Sequence, residues 1–256
     1  MDAPSDLLRD RDVDPGDRDE PPIQPDAIGF DERAYEHIDL APMIEHALLH
    51  PAAGPAQVVQ WCAEADRYRF ATVCVTPALV PQAVELLHGK GPAVCAVVGY
   101  PLGATLGDSK THEAMRCLEA GARELDVMLN LGWLKNGEGD RVHRELAEIC
   151  EMADGEGVKA ILEMGMLTPA ELELAVEVSL DAGVQFFKTH TGWNGGVTVA
   201  QVQMLGELVR QRAGIKAAGG IQTLEAALML AAAGATRLGT SRGVMFLQQR
   251  GQGRMP

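Results

Sequence analysis

From residue 44 onward the chain repeats one texture eight times: a short apolar run that closes on polar residues or glycine, then a longer amphipathic segment. The runs cover 44–48, 71–75, 93–98, 124–129, 158–163, 185–188, 215–218 and 236–239. Most are apolar throughout rather than alternating, as expected of parallel strands covered on both faces. The segments between them place apolar residues about one helical turn apart. Val58, Val59 and Cys62 do so in 55–67, Val84 and Leu87 in 81–87, and Met115, Leu118 and Ala122 around 110–121. Val142, Leu146, Ile149 and Cys150 continue the pattern in 140–155. Thr168-Pro169-Ala170-Glu171 reads as a capping box with proline at the first helical position. Helices are also expected over 198–210, 223–233 and, shorter, 244–249. Gly121, Gly183 and Gly234 each close a helix before a strand, as C-cap glycines do.

Eight regular strand–helix units predict a single-domain (β/α)8 barrel, which takes ~250 residues. A doubly wound sheet would carry G-x-G-x-x-G after its first strand, and this chain has none there. The barrel is expected over 37–250, between an acidic, flexible tail at 1–36 and a frayed end at 251–256. The tail is rich in Asp, Arg and Pro, and buries too little apolar surface to offset its ordering entropy. It lacks the apolar stretch of a secretory signal.

The net charge is −14, from 22 Lys and Arg against 36 Asp and Glu. Nucleic acid and anionic membrane surfaces are bound by basic patches, so neither is an expected partner. No uncharged stretch is long enough to span a bilayer. The five cysteines form no C-x-x-C pair. They are expected to be free and mostly buried in a reducing, cytoplasmic compartment, with no metal site.

In such a barrel the chemistry sits at the C-terminal ends of the strands. Asp126 lies within the fourth apolar run, Lys188 ends the sixth and Lys216 lies in the seventh. A lone lysine at a strand end usually reaches out to solvent. Three ionisable groups on three apolar strands instead converge on one axis. An amine must be neutral to attack a carbonyl, and a free lysine titrates at ~10.4. Burial and a second cation both ease the loss of that proton. Lys188 is therefore the expected imine-forming nucleophile, and Lys216 the helper cation. Asp126 is expected to move protons between imine and enamine, directly or through water.

The loops after strands 7 and 8 form the usual phosphate site of a barrel. "AAGGIQT" and "LGTSRG" occupy those places. Gly219, Gly220, Gly239, Ser241 and Arg242 are the expected anion contacts, with Thr189 beside them. His190, Glu45 and Cys74 are candidate substrate contacts. His46, His50 and Glu163 are read as either substrate contacts or structural partners.

From 44 to 247 the chain resembles the deoxyribose-phosphate aldolases, class I aldolases on a (β/α)8 barrel. "VCVTPALV", "VVGYPLGA", "EAGARELDVMLNLGWLKNG", "FFKTHTGWNGGVT", "IKAAGGIQT" and "ATRLGTSRG" carry the resemblance, in order. It implies a Schiff base on Lys188, with Asp126 and Lys216 as the proton-transfer pair. The implied reaction is reversible cleavage of 2-deoxy-D-ribose 5-phosphate to acetaldehyde and D-glyceraldehyde 3-phosphate. No metal or organic cofactor is implied, and a homo-oligomer, a dimer foremost, is.

The chain departs from the family pattern in the substrate-facing layer. Glu45-His46-Ala47 stands for Asp-His-Thr, His190 for Ser, Gln222 for Arg, and Arg242 for a second Ser. One alternative is thus a related Schiff-base aldolase or lyase acting on a different aldehyde or a carboxylate. The other is an inactive barrel serving as a binding module.

Overall fold

The computed structural model describes residues 31–252. Its strands are β1 (Ile44–Leu48), β2 (Thr72–Val75), β3 (Ala93–Val98), β4 (Glu124–Met128), β5 (Gly157–Ile161), β6 (Phe186–Lys188), β7 (Gly214–Ala218) and β8 (Arg237–Thr240). Each pairs in parallel with the next, and β8 pairs with β1, which closes the barrel. The helices are α1 (Pro55–Tyr68), α2 (Val80–Leu87), α3 (Gly107–Glu119), α4 (Leu131–Lys135), α5 (Gly139–Ala153), α6 (Pro169–Asp181), α7 (Val199–Val209), α8 (Leu224–Ala232) and α9 (Gly243–Gln252).

The expected (β/α)8 architecture is therefore present, with differences at element ends. The fifth strand stops at Ile161 instead of 163, because Glu163 turns into the left-handed region at φ 51°. The eighth starts one residue later, at Arg237, and the Thr236 hydroxyl beside it accepts from Ile215 N–H at 3.1 Å while its own N–H donates to Ile215 O at 2.9 Å. Helix α4 was not expected. Asn130 nucleates it, its side chain accepting from Trp133 N–H at 3.2 Å. The Thr168 capping box forms, and Thr198 with Gln201 forms a second.

Most of the tail expected over 1–36 lies outside the described residues. Its last part does not: Glu32–Tyr35 form a helical turn capped by Asp31. The Arg250 guanidinium donates to the Tyr35 and Glu36 carbonyls at 2.8 and 3.2 Å. At the other end α9 reaches Gln252, and the rest of 251–256 lies outside the described residues.

Strand parity sorts the core into two parts. On β3, Val94, Ala96 and Val98 join the large cluster between strands and helices. Cys95 and Val97 point the other way, into the barrel, with Cys74. That small inner cluster borders a set of buried charges. Among the described residues no helix is long and apolar enough to cross a membrane.

Candidate active site

A carboxylate in a parallel strand has nowhere to go but a covered face, so it must find partners there. Asp126 on β4 is fully buried. Its Oδ2 accepts from Lys188 Nζ at 3.0 Å and Lys216 Nζ at 2.6 Å. Its Oδ1 lies 3.1 Å from Lys159 Nζ and 3.2 Å from Cys95 Sγ. Cys74 Sγ stands 3.7 Å from Oδ2. The three predicted residues thus meet on one carboxylate. Register explains the convergence: Lys188 pairs with Lys216, and Asp126 with Lys159.

Lys188, expected by its position alone to reach solvent, is only 2% exposed. Lys159 and Glu45 enlarge the cluster beyond the expected three residues. Glu45 is fully buried on β1 and accepts from Lys216 Nζ. Lys159, also fully buried, lies 3.5 Å from Glu45 and bridges to Glu124. Sequence reasoning passed over Lys159, although a lysine inside "VKAIL" gives the same signal as Lys216 inside "IKAA".

The electrostatics are a contest between burial and mutual attraction. Burial pushes the Asp126 carboxyl up, but Lys159, Lys216 and Lys188 together outweigh it and hold it well below the usual carboxylate range. Glu45 is likewise pushed up by burial and pulled below its ordinary value by Lys159 and Lys216. Burial works against the Lys216 ammonium, yet its anionic neighbours, Asp126 first, hold it well above the ordinary lysine value. Lys159 follows the same logic. Both stay cationic.

The three lysines differ in how many carboxylates hold them. Lys159 contacts Glu45, Glu124 and Asp126, and Lys216 contacts Glu45 and Asp126. Lys188 contacts Asp126 alone among the described residues. Its amine lies 5.4 Å from the centre of the Tyr100 ring, which reaches over from the loop after β3.

The other predicted contacts sit around this centre with different duties. Thr189 spends its hydroxyl on the β7 backbone, donating to Ala218 O and accepting from Ala218 N–H, both at 3.0 Å. Gly219 and Gly220 follow β7 at φ 103° and 66°, which side chains rarely adopt. A Cβ on Gly219 would stand 3.0 Å from Gly195 O and 3.1 Å from His190 Cβ. Gly239, expected as an anion contact, lies within β8, where a Cβ would meet Lys216 Cε at 2.9 Å. Its absent side chain makes room for the lysine.

Ser241 and Arg242 lie half-buried in the turn between β8 and α9. The Thr240 hydroxyl ties that turn to the loop after β7, donating to Ile221 O and accepting from Arg242 N–H at 3.0 Å each. His190 is buried. Its Nε2 accepts from Gly165 N–H at 3.3 Å, which leaves the proton of the neutral ring on Nδ1.

The undecided residues separate too. His46 Nε2 lies 2.7 Å from Glu64, and its ring stacks on Trp61. His50 caps the turn after β1, accepting from Ala52 N–H. Glu163 binds the lysine loop, accepting from Thr191 N–H at 3.1 Å and from the Thr191 hydroxyl.

Residues 41–249 match the model of the DeoC/LacD family aldolases. The deoxyribose-phosphate aldolase of Trichormus variabilis is 58% identical over 84% of this chain and 95% of its own. That of a Cyanothece species is 56% identical over 83% of this chain and 93% of its own. Among solved structures, an aldolase named QR15 superposes with a TM-score of 0.80 at 33% identity, covering 84% of this chain and 97% of its own. A tetrameric deoxyribose phosphate aldolase from Aeropyrum pernix superposes at 0.78 and 34% identity, covering 82% and 90%. With a closed parallel barrel, a buried lysine–carboxylate centre and these likenesses, the chain belongs to the DeoC/LacD aldolase family.

Proposed function

We infer that the chain is a class I aldolase, a carbon–carbon lyase that reversibly cleaves 2-deoxy-D-ribose 5-phosphate to acetaldehyde and D-glyceraldehyde 3-phosphate. One observation carries the assignment of roles: of three buried lysines around Asp126, Lys188 has the fewest carboxylate partners. Lys159 and Lys216 suffice to balance the buried Asp126 and Glu45. Lys188 is the amine that can shed its proton without leaving a buried charge uncompensated.

The neutral Lys188 amine attacks the C1 aldehyde of the open-chain sugar to give a carbinolamine. Loss of water gives the cationic imine. A base takes the proton of the C3 hydroxyl, the C2–C3 bond breaks, and its electrons pass into the imine to give an enamine. Glyceraldehyde 3-phosphate leaves. Protonation at C2 and addition of water then release acetaldehyde and restore Lys188. Asp126 and Lys216 hold and move these protons; their mutual 2.6 Å contact lets one donate as the other accepts.

The anion end of the substrate is assigned to Gly219, Gly220, Ser241 and Arg242, at the loops after β7 and β8. The Thr240–Ile221 bond supports the pairing of those loops. Gly239 serves that end indirectly, through Lys216. Five free thiols suit a cytoplasmic enzyme. The working form is taken to be a homo-oligomer, with a dimer favoured.

Comparing cleavage of deoxyribose 5-phosphate with unphosphorylated deoxyribose tests the reading. A kcat/KM at least tenfold higher for the ester is expected, since a charge-assisted contact contributes ~1.5–3 kcal/mol. Equal values would show that these loops do not read phosphate. Cleavage of neither sugar would contradict the substrate.

A further inference from the structure

The strand registers sort the inward-facing positions into three layers of four, each drawn from alternate strands. Cys74, Asp126, Lys188 and Gly239 make the upper layer, nearest the mouth. Glu45, Cys95, Lys159 and Lys216 make the middle one. Thr72, Glu124, Phe186 and Arg237 make the floor. The proton chemistry draws on the upper two layers and leaves the floor unexplained. Bulky apolar side chains usually fill such a layer, yet this one holds an acid and a base.

Both floor charges are paired into the layer above. Glu124 Oε2 lies 2.5 Å from Lys159 Nζ. The Arg237 guanidinium lies 3.5 Å from Glu124 Oε1 and 3.6 Å from Glu45 Oε1. With Lys188 uncharged, the cations Lys159, Lys216 and Arg237 match the anions Asp126, Glu45 and Glu124 one for one. A proton on Lys188 makes this column net positive. Other titratable groups also face Lys188. The Cys74 and Cys95 thiols border Asp126. The Tyr100 hydroxyl, pushed up by burial, donates to the Thr191 carbonyl at 2.7 Å. In the loops above, Glu163 accepts from Thr191, and burial pushes His190 down to about 4.

Resting on the Schiff-base reading of Lys188, we propose that Glu124 and Arg237 on the barrel floor set, by their opposite charges, the pH at which the Lys188 amine becomes free to attack a carbonyl. They are positioning residues that act on Lys188 from below, through the ion pairs of Lys159, Glu45 and Asp126. A negative charge beneath the centre favours the protonated amine, and a positive one disfavours it. Glu124 precedes Asp126 by two residues on β4, about 7 Å along the strand. A unit charge at that range inside a protein moves a titration by about one pH unit. Both floor side chains keep some exposure to solvent, 16% for Glu124 and 22% for Arg237, which reduces the effect.

The test is the pH dependence of adduct formation on Lys188, with acetaldehyde as the carbonyl and cyanoborohydride as the trap. Glu124→Gln keeps the side chain's size and loses its charge, while Lys159 stays cationic between Asp126 and Glu45. Its acidic limb moves down by about half to one pH unit. Arg237→Gln moves the limb up by a similar amount, and Arg237→Lys leaves it in place. The double variant of Glu124→Gln with Arg237→Gln returns the limb close to wild type, because the charges again match. A purely structural floor would slow both single variants without moving their limbs apart. Unmoved limbs, or limbs that move in the same direction, overturn the tuning while leaving the imine chemistry standing. If Glu124→Gln fails to fold, Arg237→Gln against Arg237→Lys decides alone. Absence of any adduct in wild type overturns the Schiff-base reading and the tuning with it.

Discussion

Lys188 and Lys216 are register partners on adjacent strands, and their amines share one oxygen of Asp126, at 3.0 and 2.6 Å. Side chains paired in that way point into the barrel together. Two cations so close repel, and the carboxylate between them makes the arrangement tolerable. The same closeness sets up the chemistry, because Lys188 faces one carboxylate where Lys216 faces two.

Lys216→Leu removes the cation beside Lys188 without adding bulk. The remaining amine then keeps its own proton to higher pH. The acidic limb of the pH–rate profile for sugar cleavage moves upward, and the maximal rate falls. A lower rate with an unmoved limb would assign Lys216 to proton carriage alone.

Asp126→Asn acts on both rate and stability. Turnover slows by ~10²–10⁴-fold, the usual contribution of a placed acid–base group. Breaking a buried pair also costs ~3–5 kcal/mol, so the variant unfolds at lower urea at neutral pH. The sign of its pH dependence follows from the depressed carboxyl. Such a group stabilises the fold above its unfolded value of ~3.9, and the contribution fades only as pH drops through the lower folded value. Wild type and variant therefore converge only in strong acid.

Gly239→Ala adds one methyl group 2.9 Å from Lys216 Cε and 3.1 Å from Ala218 Cβ. Lys216 is only 1% exposed and has no open space to retreat into. A displacement of that size costs ~10²-fold in kcat. KM for the phosphate ester changes far less, which kinetics over a substrate range would show. A selective rise in KM would make Gly239 an anion contact instead.

His190→Ser changes a slope. Burial pushes the His190 imidazole from 6.5 down to about 4. Between those values the unfolded chain binds a proton that the folded chain refuses, so stability falls as pH drops through the window. The shift is worth up to ~3 kcal/mol. Urea unfolding at several pH values from neutrality to below 5 shows this loss in wild type. In His190→Ser that component is absent, whatever the absolute stability of the variant.

The barrel was legible because its strands are buried on both faces and so read as unbroken apolar runs. Charged residues inside those runs stood out, which is how Asp126, Lys188 and Lys216 were found. Lys159 carried the same mark and was missed, because nothing local says which face of β5 it takes. That is decided by its register against Asp126. Glu45 was read as a substrate contact, and its contact with Lys216 depends on barrel closure between β1 and β8. Tyr100 and Glu163 lie just beyond strand ends, where periodicity stops. Their link through Thr191 joins residues up to 91 positions apart in the chain. Gly239 was expected as an anion contact; that it also leaves room for Lys216, whose Cε a Cβ there would meet at 2.9 Å, depends on the pairing of β8 with β7.

The most direct measurement is reductive trapping. Folded protein is incubated with acetaldehyde, reduced with borohydride, digested and mapped by mass. The account predicts a two-carbon adduct on Lys188, none on Lys159 or Lys216, and none in Lys188→Ala that retains its circular dichroism. An adduct on Lys159 or Lys216 in place of Lys188, or no adduct from folded wild type, would contradict it.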